Sequence, residues 1–248
     1  MLQKVHGKNI LNKVVETIFM KVSRKTEGAA VYFIISEADP KYRDAIRHLY
    51  YEEENNDFTK SFPSDAPHVG KCYNNFERHI EQIILQMAGV QSVPWDKALL
   101  AYLKKIGVED IDWWLCGSAA LAVRGIDIMP HDIDVITDEA GAYRIGEILQ
   151  DHLFEPIVNT QGWICRVFGK AFLYAVIDIA GGMDESVDKP EPSDFGPVAA
   201  SHLETVKWRG YELRVPPLEL QLRQSERRGL TDTTAKIRSM IRQDDLAT

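Results

Sequence analysis

Apolar positions along this chain recur with two periods, and the switches between them lay out its elements. Residues 31–36 (VYFIIS) are an apolar run ended by Asp39 and Pro40, which predicts a buried strand. Residues 41–53 set Tyr42, Ile46, Leu49 and Tyr50 at helical spacing, and residues 75–87 do the same with Phe76, Ile80, Ile83, Ile84 and Met87. The polar, proline-containing stretch 55–70 between them predicts a loop, and 89–94 a linker. A helix over 95–106 leads to a short apolar strand at 113–116 (WWLC), then Gly117-Ser118 and the helix-like AALAVRG. Residues 132–137 predict a strand and 141–153 a helix. Two further strands, 163–168 and 171–180, are joined by a turn at Gly169-Lys170. Residues 204–215 alternate as a hairpin turning at Arg209-Gly210. Two helices close the chain, 217–228 and 231–242, with Thr231 as N-cap of the second.

The elements predict an α+β fold in which a mixed β-sheet is flanked by helices. They divide into an N-terminal α/β extension of unassigned role (1–94), a core (95–215) and a C-terminal helical segment (216–248). Composition agrees with a globular chain: 248 residues, 45% hydrophobic and 27% charged. No apolar run reaches bilayer length, so no membrane association is expected. The N-terminus lacks a signal peptide's continuous apolar segment. Cys72, Cys116 and Cys165 are odd in number and widely spaced, which suggests neither a disulfide framework nor a zinc knuckle and points to the cytoplasm. The net charge of −8 argues against non-specific coating of nucleic acid. It leaves room for a local basic cleft, because residues 207–242 are rich in arginine while 51–57 and 182–194 are acidic.

The chemistry concentrates between residues 116 and 180. Gly117-Ser118 stands where a strand passes into a helix, a place where free backbone N–H groups suit phosphate; a plain turn and cap is the alternative. Asp132 and Asp134 alternate on an apolar strand and so point to one face. Carboxylates held side by side repel, and each raises the other's pKa. Hard divalent cations such as Mg²⁺ resolve that repulsion, and a pair of carboxylates can bridge two metals for displacement at phosphorus. Asp178 is the one charge in FLYAVIDIA (172–180), costly there unless paired or metal-bound.

In this order the parts resemble the nucleotidyltransferase superfamily, with its polymerase-beta-like core. That family places Gly-Ser or Gly-Gly at a helix start, Asp-x-Asp on the next strand and a third Asp on a later one. The matching residues are Gly117-Ser118, Asp132-x-Asp134 and Asp178, within about 113–180, and the helical tail is similar to that of bacterial antibiotic-modifying and toxin-type members. The resemblance implies transfer of a nucleoside monophosphate from an NTP, ATP by default, to a hydroxyl of a small molecule, RNA or protein. It implies Mg²⁺ or Mn²⁺ as cofactor, with Asp132 and Asp134 binding both metals and Asp178 the one nearer the acceptor. A nucleotide-binding regulatory or interaction module without turnover is the alternative. Arg124 and His131 flank the motif, where a cap or surface charge competes with a triphosphate contact. Trp113 and Trp114 read as core rather than as a base-stacking pair. Arg223, Arg227 and Arg228 offer a basic edge, although a solvated i,i+4 pair of Glu219 with Arg223 is the plainer account of Arg223, and the long acidic loop 181–202 is either an acceptor-binding lid or disordered.

Overall fold

Strand β1 (Lys21–Glu27) and strand β2 (Ala30–Ser36) pair antiparallel around Gly28. β2 buries Val31, Phe33 and Ile35 and leaves the residues between them half-exposed, the period of two that a one-sided strand requires. β1 is an exposed edge guarded by Lys21, Arg24 and Lys25. Helix α1 (Arg43–His48) is shorter than the predicted 41–53, because Tyr50 takes a left-handed φ of +65° and Glu52–Glu54 becomes strand β3. Strand β4 (Asp57–Pro63) occupies part of the predicted loop 55–70. Only Phe58 and Phe62 are buried in DFTKSFP, too few apolar positions to distinguish it from a loop by pattern. The sheet order is β1-β2-β4-β3, antiparallel throughout. The computed structural model describes residues 20–107 and 109–247, so positions 1–19 of the predicted extension lie outside the described residues.

Helix α2 (Val69–Met87) belongs to a core shared by this sheet and the next. Phe76 packs against Phe33 at 5.2 Å between ring centroids and stacks on Tyr51 at 5.8 Å. From the same helix, Asn75 Nδ2 donates to the Leu153 carbonyl (2.9 Å) and Gln86 Nε2 to the Tyr174 carbonyl (2.9 Å). These buried amides tie the extension to the start of the next sheet's Leu153 strand and to the chain reversal at Tyr174, and truncating Phe76 to Ala would cost about 3–5 kcal/mol.

Helix α3 (Trp95–Ile106) precedes the second sheet. There strand β5 (Trp113–Cys116), helix α4 (Gly117–Val123), strand β6 (Ile133–Thr137) and helix α5 (Glu139–Ile148) follow the predicted order. The helix predicted over 141–153 stops at Ile148, and strand β7 (Leu153–Asn159) begins where it was expected to end. Strand β8 (Cys165–Phe172) runs straight through Gly169-Lys170, so the predicted turn is not there. The chain reverses at 173–175 instead, where Tyr174 has φ of +68°, before strand β9 (Val176–Met183). Gly169 serves close packing: a Cβ there would lie 2.8 Å from the Pro156 carbonyl oxygen on β7. The sheet order is β5-β6-β9-β8-β7, parallel between β6 and β9 and antiparallel elsewhere.

The 181–202 loop is structured by helix α6 (Pro197–Ala200) and by Asp188, which accepts hydrogen bonds from the Ser193 and Val198 backbone N–H groups, both at 2.8 Å. Strands β10 (Glu204–Trp208) and β11 (Tyr211–Val215) form the predicted hairpin, with positive φ at both Arg209 and Gly210 as a type I′ turn demands. Helices α7 (Leu218–Arg227) and α8 (Thr231–Ala247) complete the α+β fold. No helix among the described residues is long and apolar enough to cross a membrane.

Candidate active site

One cross-strand row of the second sheet carries the chemistry. Cys116 pairs with Asp134, Asp134 with Asp178, Asp178 with Lys170, and Lys170 with Glu155, so one residue from each of the five strands stands in register. Asp132, immediately before β6, adds a third carboxylate to the row. One oxygen from each of Asp132, Asp134 and Asp178 lies within 4.8 Å of the others, and all three residues are half-buried. The short β6 strand carries Asp134 between the fully buried Ile133 and Val135, whose packing fixes the direction of the carboxylate.

Burial pushes the Asp132 carboxyl up to about 6, helped by the Asp178 charge. Asp134 is pushed well above the usual carboxylate range by burial and then by Asp132 and Asp178. Lys170, His131 and Arg228 offset only part of this at Asp132, and Lys170 only part of it at Asp134. Asp178 is paired directly: Lys170 Nζ donates to both of its oxygens at 2.6 Å. Burial alone would lower the Lys170 pKa, but Asp178 and Glu155 more than offset it and hold the ammonium above its ordinary value. Glu155 accepts from Lys60 of the N-terminal sheet at 2.5 Å. Asp132, Asp134, Asp178 and Glu155 against Lys60 and Lys170 leave two negative charges when all are ionised. That is the complement of one divalent cation, and carboxylate oxygens at this spacing suit Mg²⁺.

Gly117 makes the approach to Asp134 possible. Its φ is +62°, and a Cβ there would sit 2.2 Å from Asp134 Oδ2. Gln221 of α7, buried, donates from Nε2 to the Gly117 carbonyl at 3.0 Å and fixes this turn from the C-terminal side. Asp194 is a fourth acid on the cleft wall, with its carboxyl pushed up to about 6 by burial against the opposing influence of Arg228, Arg227 and Gln221.

A cleft of about 280 Å³ includes Gly117, Asp134, Asp178, Asp194 and Arg228 in its lining. Tyr50, Trp163 and Phe168 border it and also border a groove of about 870 Å³ between β4 and the β7–β8 edge. Trp163 packs edge-on against Tyr50 (5.5 Å) and Phe168 (5.3 Å) yet keeps 41% of its surface exposed. Of the other sequence candidates, Arg124 is taken up by Glu204 (2.5 Å) and the Pro216 carbonyl (2.7 Å). Trp114 is buried and Trp113 packs edge-on against Tyr102 at 5.1 Å. Arg227 donates to the Glu191 carbonyl at 3.3 Å, and Arg228 reaches the cleft.

Sequence reasoning passed over Lys170, Glu155, Lys60, Tyr50, Asp194 and Gln221. A signal for two of them was present: Glu155 and Lys170 are lone, opposite charges in apolar runs, subject to the same cost that drew attention to Asp178.

A family model described as aminoglycoside-2''-adenylyltransferase matches residues 98–179, the segment from α3 to the middle of β9. No curated protein matches the chain. Among solved structures, TM1012 from Thermotoga maritima, provisionally described as a nucleotidyltransferase, is 22% identical with a TM-score of 0.43, over 58% of this chain and 91% of its own. The lincosamide antibiotic adenylyltransferase LnuA, in a lincomycin-bound structure, is 17% identical with a TM-score of 0.39, over 53% and 85%. The family model spans Gly117-Ser118, Asp132-x-Asp134 and Asp178 together and supports assignment to the nucleotidyltransferase superfamily, and hence an enzyme of nucleotide transfer.

Proposed function

We propose that this protein is a divalent-metal-dependent nucleotidyltransferase that moves AMP from ATP to a hydroxyl of a small-molecule acceptor. The observation that carries the reading is the convergence of Asp132, Asp134 and Asp178 within 4.8 Å beside a glycine whose Cβ space Asp134 fills. ATP follows from the adenylyltransferase description of the matching family. Asp132 and Asp134 would hold Mg²⁺, or Mn²⁺ in its place, which when bound neutralises charge on the triphosphate and polarises the α-phosphoryl group. Gly117 and Ser118 offer backbone N–H groups and a hydroxyl to the phosphates, with Arg228 as a further cation on the cleft wall. Asp178 would be the third ligand, on the acceptor's side, and would orient the acceptor. The acceptor oxygen bonds to the α-phosphorus, the bond to the pyrophosphate oxygen breaks, and the hydroxyl proton leaves through Asp178 to solvent.

The large groove supplies room for the acceptor. Trp163, Tyr50 and Phe168 offer flat apolar surfaces for a ring, and Glu27, Glu52 and Asp65 favour a molecule bearing amines. That chemistry is compatible with an aminoglycoside, the substrate in the family's description. An RNA end is the rival, disfavoured by the acidic groove. Nucleotide binding without turnover is a second reading, favoured by one feature: Lys170 engages both oxygens of Asp178.

The test is calorimetric binding of Mg-ATP beside transfer from labelled ATP to a panel of aminoglycosides, other amino alcohols and short RNAs. Asp132→Ala and Asp134→Ala should weaken nucleotide binding and abolish transfer. Asp178→Ala should bind ATP nearly as wild type and transfer slower by a factor on the order of a thousand. Wild type that binds Mg-ATP but transfers to nothing on the panel would favour the second reading, and full transfer by Asp178→Ala would remove that residue's assignment.

A further inference from the structure

Two lysines and a glutamate that the reaction scheme leaves unused connect the N-terminal sheet to the metal site. Lys60 lies on β4 with its ammonium 2.5 Å from Glu155 and 3.1 Å from the Leu49 carbonyl. Glu155 is 1% exposed, on the edge strand β7, and its other oxygen has no hydrogen bond. Directly across the β7–β8 ladder stands Lys170, also 1% exposed, and across the β8–β9 ladder stands Asp178. The rings of Phe168 and Tyr50 close over the Lys170 ammonium at 4.9 and 5.4 Å. Charges therefore alternate along a line that begins outside the segment covered by the family model and ends on the third carboxylate.

Burying Lys170 and Glu155, with Lys60 half-buried beside them, costs several kcal/mol per buried ion and is recovered only by close, well-hydrogen-bonded pairing. An apolar row would hold β7, β8 and β9 together at lower cost. We propose that Lys170 is a positioning residue for the metal site, with its ammonium fixing the Asp178 carboxylate and cancelling one of its three negative charges. Lys60 and Glu155 anchor Lys170, so the N-terminal sheet sets how strongly the site draws a divalent cation. This rests on the reading of the three aspartates as metal ligands and goes beyond it, because it assigns residues 20–94 a part in the site.

The proposal predicts the signs of charge-changing substitutions. A structural role would weaken metal binding in every variant. A charge-setting role makes Lys170→Met bind Mn²⁺ more tightly, by about tenfold or more, because a unit charge beside the site is removed. Lys60→Met should bind a few-fold more tightly through Glu155, and Glu155→Gln a few-fold more weakly. Lys170→Arg keeps the charge and should stay within about threefold of wild type. Transfer by Lys170→Met should fall despite the tighter metal, because Asp178 is no longer held, and Lys170→Arg should restore part of it.

The experiment is Mn²⁺ titration of nucleotide-free full-length protein, followed by paramagnetic resonance or calorimetry, with a melting curve for each variant. Weaker or unchanged Mn²⁺ affinity in a folded Lys170→Met overturns the proposal. Where that variant does not fold, Lys60→Met and Glu155→Gln decide through their opposite signs, and equal signs overturn it. Wild type that binds no Mn²⁺ sinks both this inference and the metal-dependent reading. Wild type that binds Mn²⁺ but transfers nothing removes only the activity, and the order of the four variants still decides.

Discussion

Replacing Gly117 by alanine separates the cost of a backbone conformation from the cost of displacing a ligand. At φ of +62° an L-residue pays about 1–2 kcal/mol for the left-handed region. For a chain of this size that lowers the melting temperature by roughly 2–8 °C. The second cost is local, because the added methyl would lie 2.2 Å from Asp134 Oδ2, where about 3.3 Å is the least that van der Waals contact allows. Asp134 or the turn must therefore shift by about 1 Å, and a misplacement of that size costs on the order of a hundredfold in a transfer reaction. Gly125→Ala is the matched control: its φ is +93°, and nothing lies within 4 Å of its Cβ. Both variants should melt a few degrees below wild type. Only Gly117→Ala should lose Mn²⁺ and Mg-ATP binding by calorimetry, by at least about tenfold. Equal binding by the two variants would refute the idea that Gly117 is a glycine for the sake of Asp134.

Three further outcomes follow from other parts of the structure. Asp194 has a folded pKa of about 6 against an ordinary 3.8, so its contribution to stability is complete below about pH 4 and is lost as pH rises through 6. The loss is at most about 3 kcal/mol; Arg228, Arg227, Gln221 and Asp134 surround it, and Asp194→Asn should therefore gain in melting temperature over wild type at pH 7.5 but not at pH 4.5. A gain of equal size at both values would contradict the assignment. Asp188→Ala removes the acceptor for Ser193 and Val198 and should cost about 1–3 kcal/mol, with faster proteolytic nicking within 185–201; an unchanged nicking rate would mean the loop is held by other contacts. Burial pushes the Cys72 thiol up to about 12 and Cys165 up to about 11, so both should resist alkylation at pH 8 in the folded protein and react in urea, a result checked by mass spectrometry of labelled peptides.

The sequence by itself determined the kind of fold and the order of the chemical parts. Helical spacing located most of α2, the helices expected over 95–106, 217–228 and 231–242 correspond to α3, α7 and α8, and Arg209-Gly210 located the β10–β11 turn. Asp132 and Asp134 had to share a face because the strand period is two, and Asp178 had to have a partner because its strand is apolar. These are statements about neighbours along the chain, which local sterics and the price of burial enforce. The tertiary structure decided which residues stand opposite one another. Gly169-Lys170 has the composition of a turn, yet the close approach of β7 is what requires the glycine, and the next residue reaches Asp178 across the ladder. β4 and β7 were missed for a related reason: two buried phenylalanines, or a run following directly on a helix, give no local signal strong enough to mark a strand. The line from Lys60 through Glu155 and Lys170 to Asp178 spans more than a hundred positions of sequence, and each step depends on strand order and register. Periodicity fixes the face on which a side chain lies, but only pairing between distant strands, set by how the whole core packs, fixes which charge it meets there.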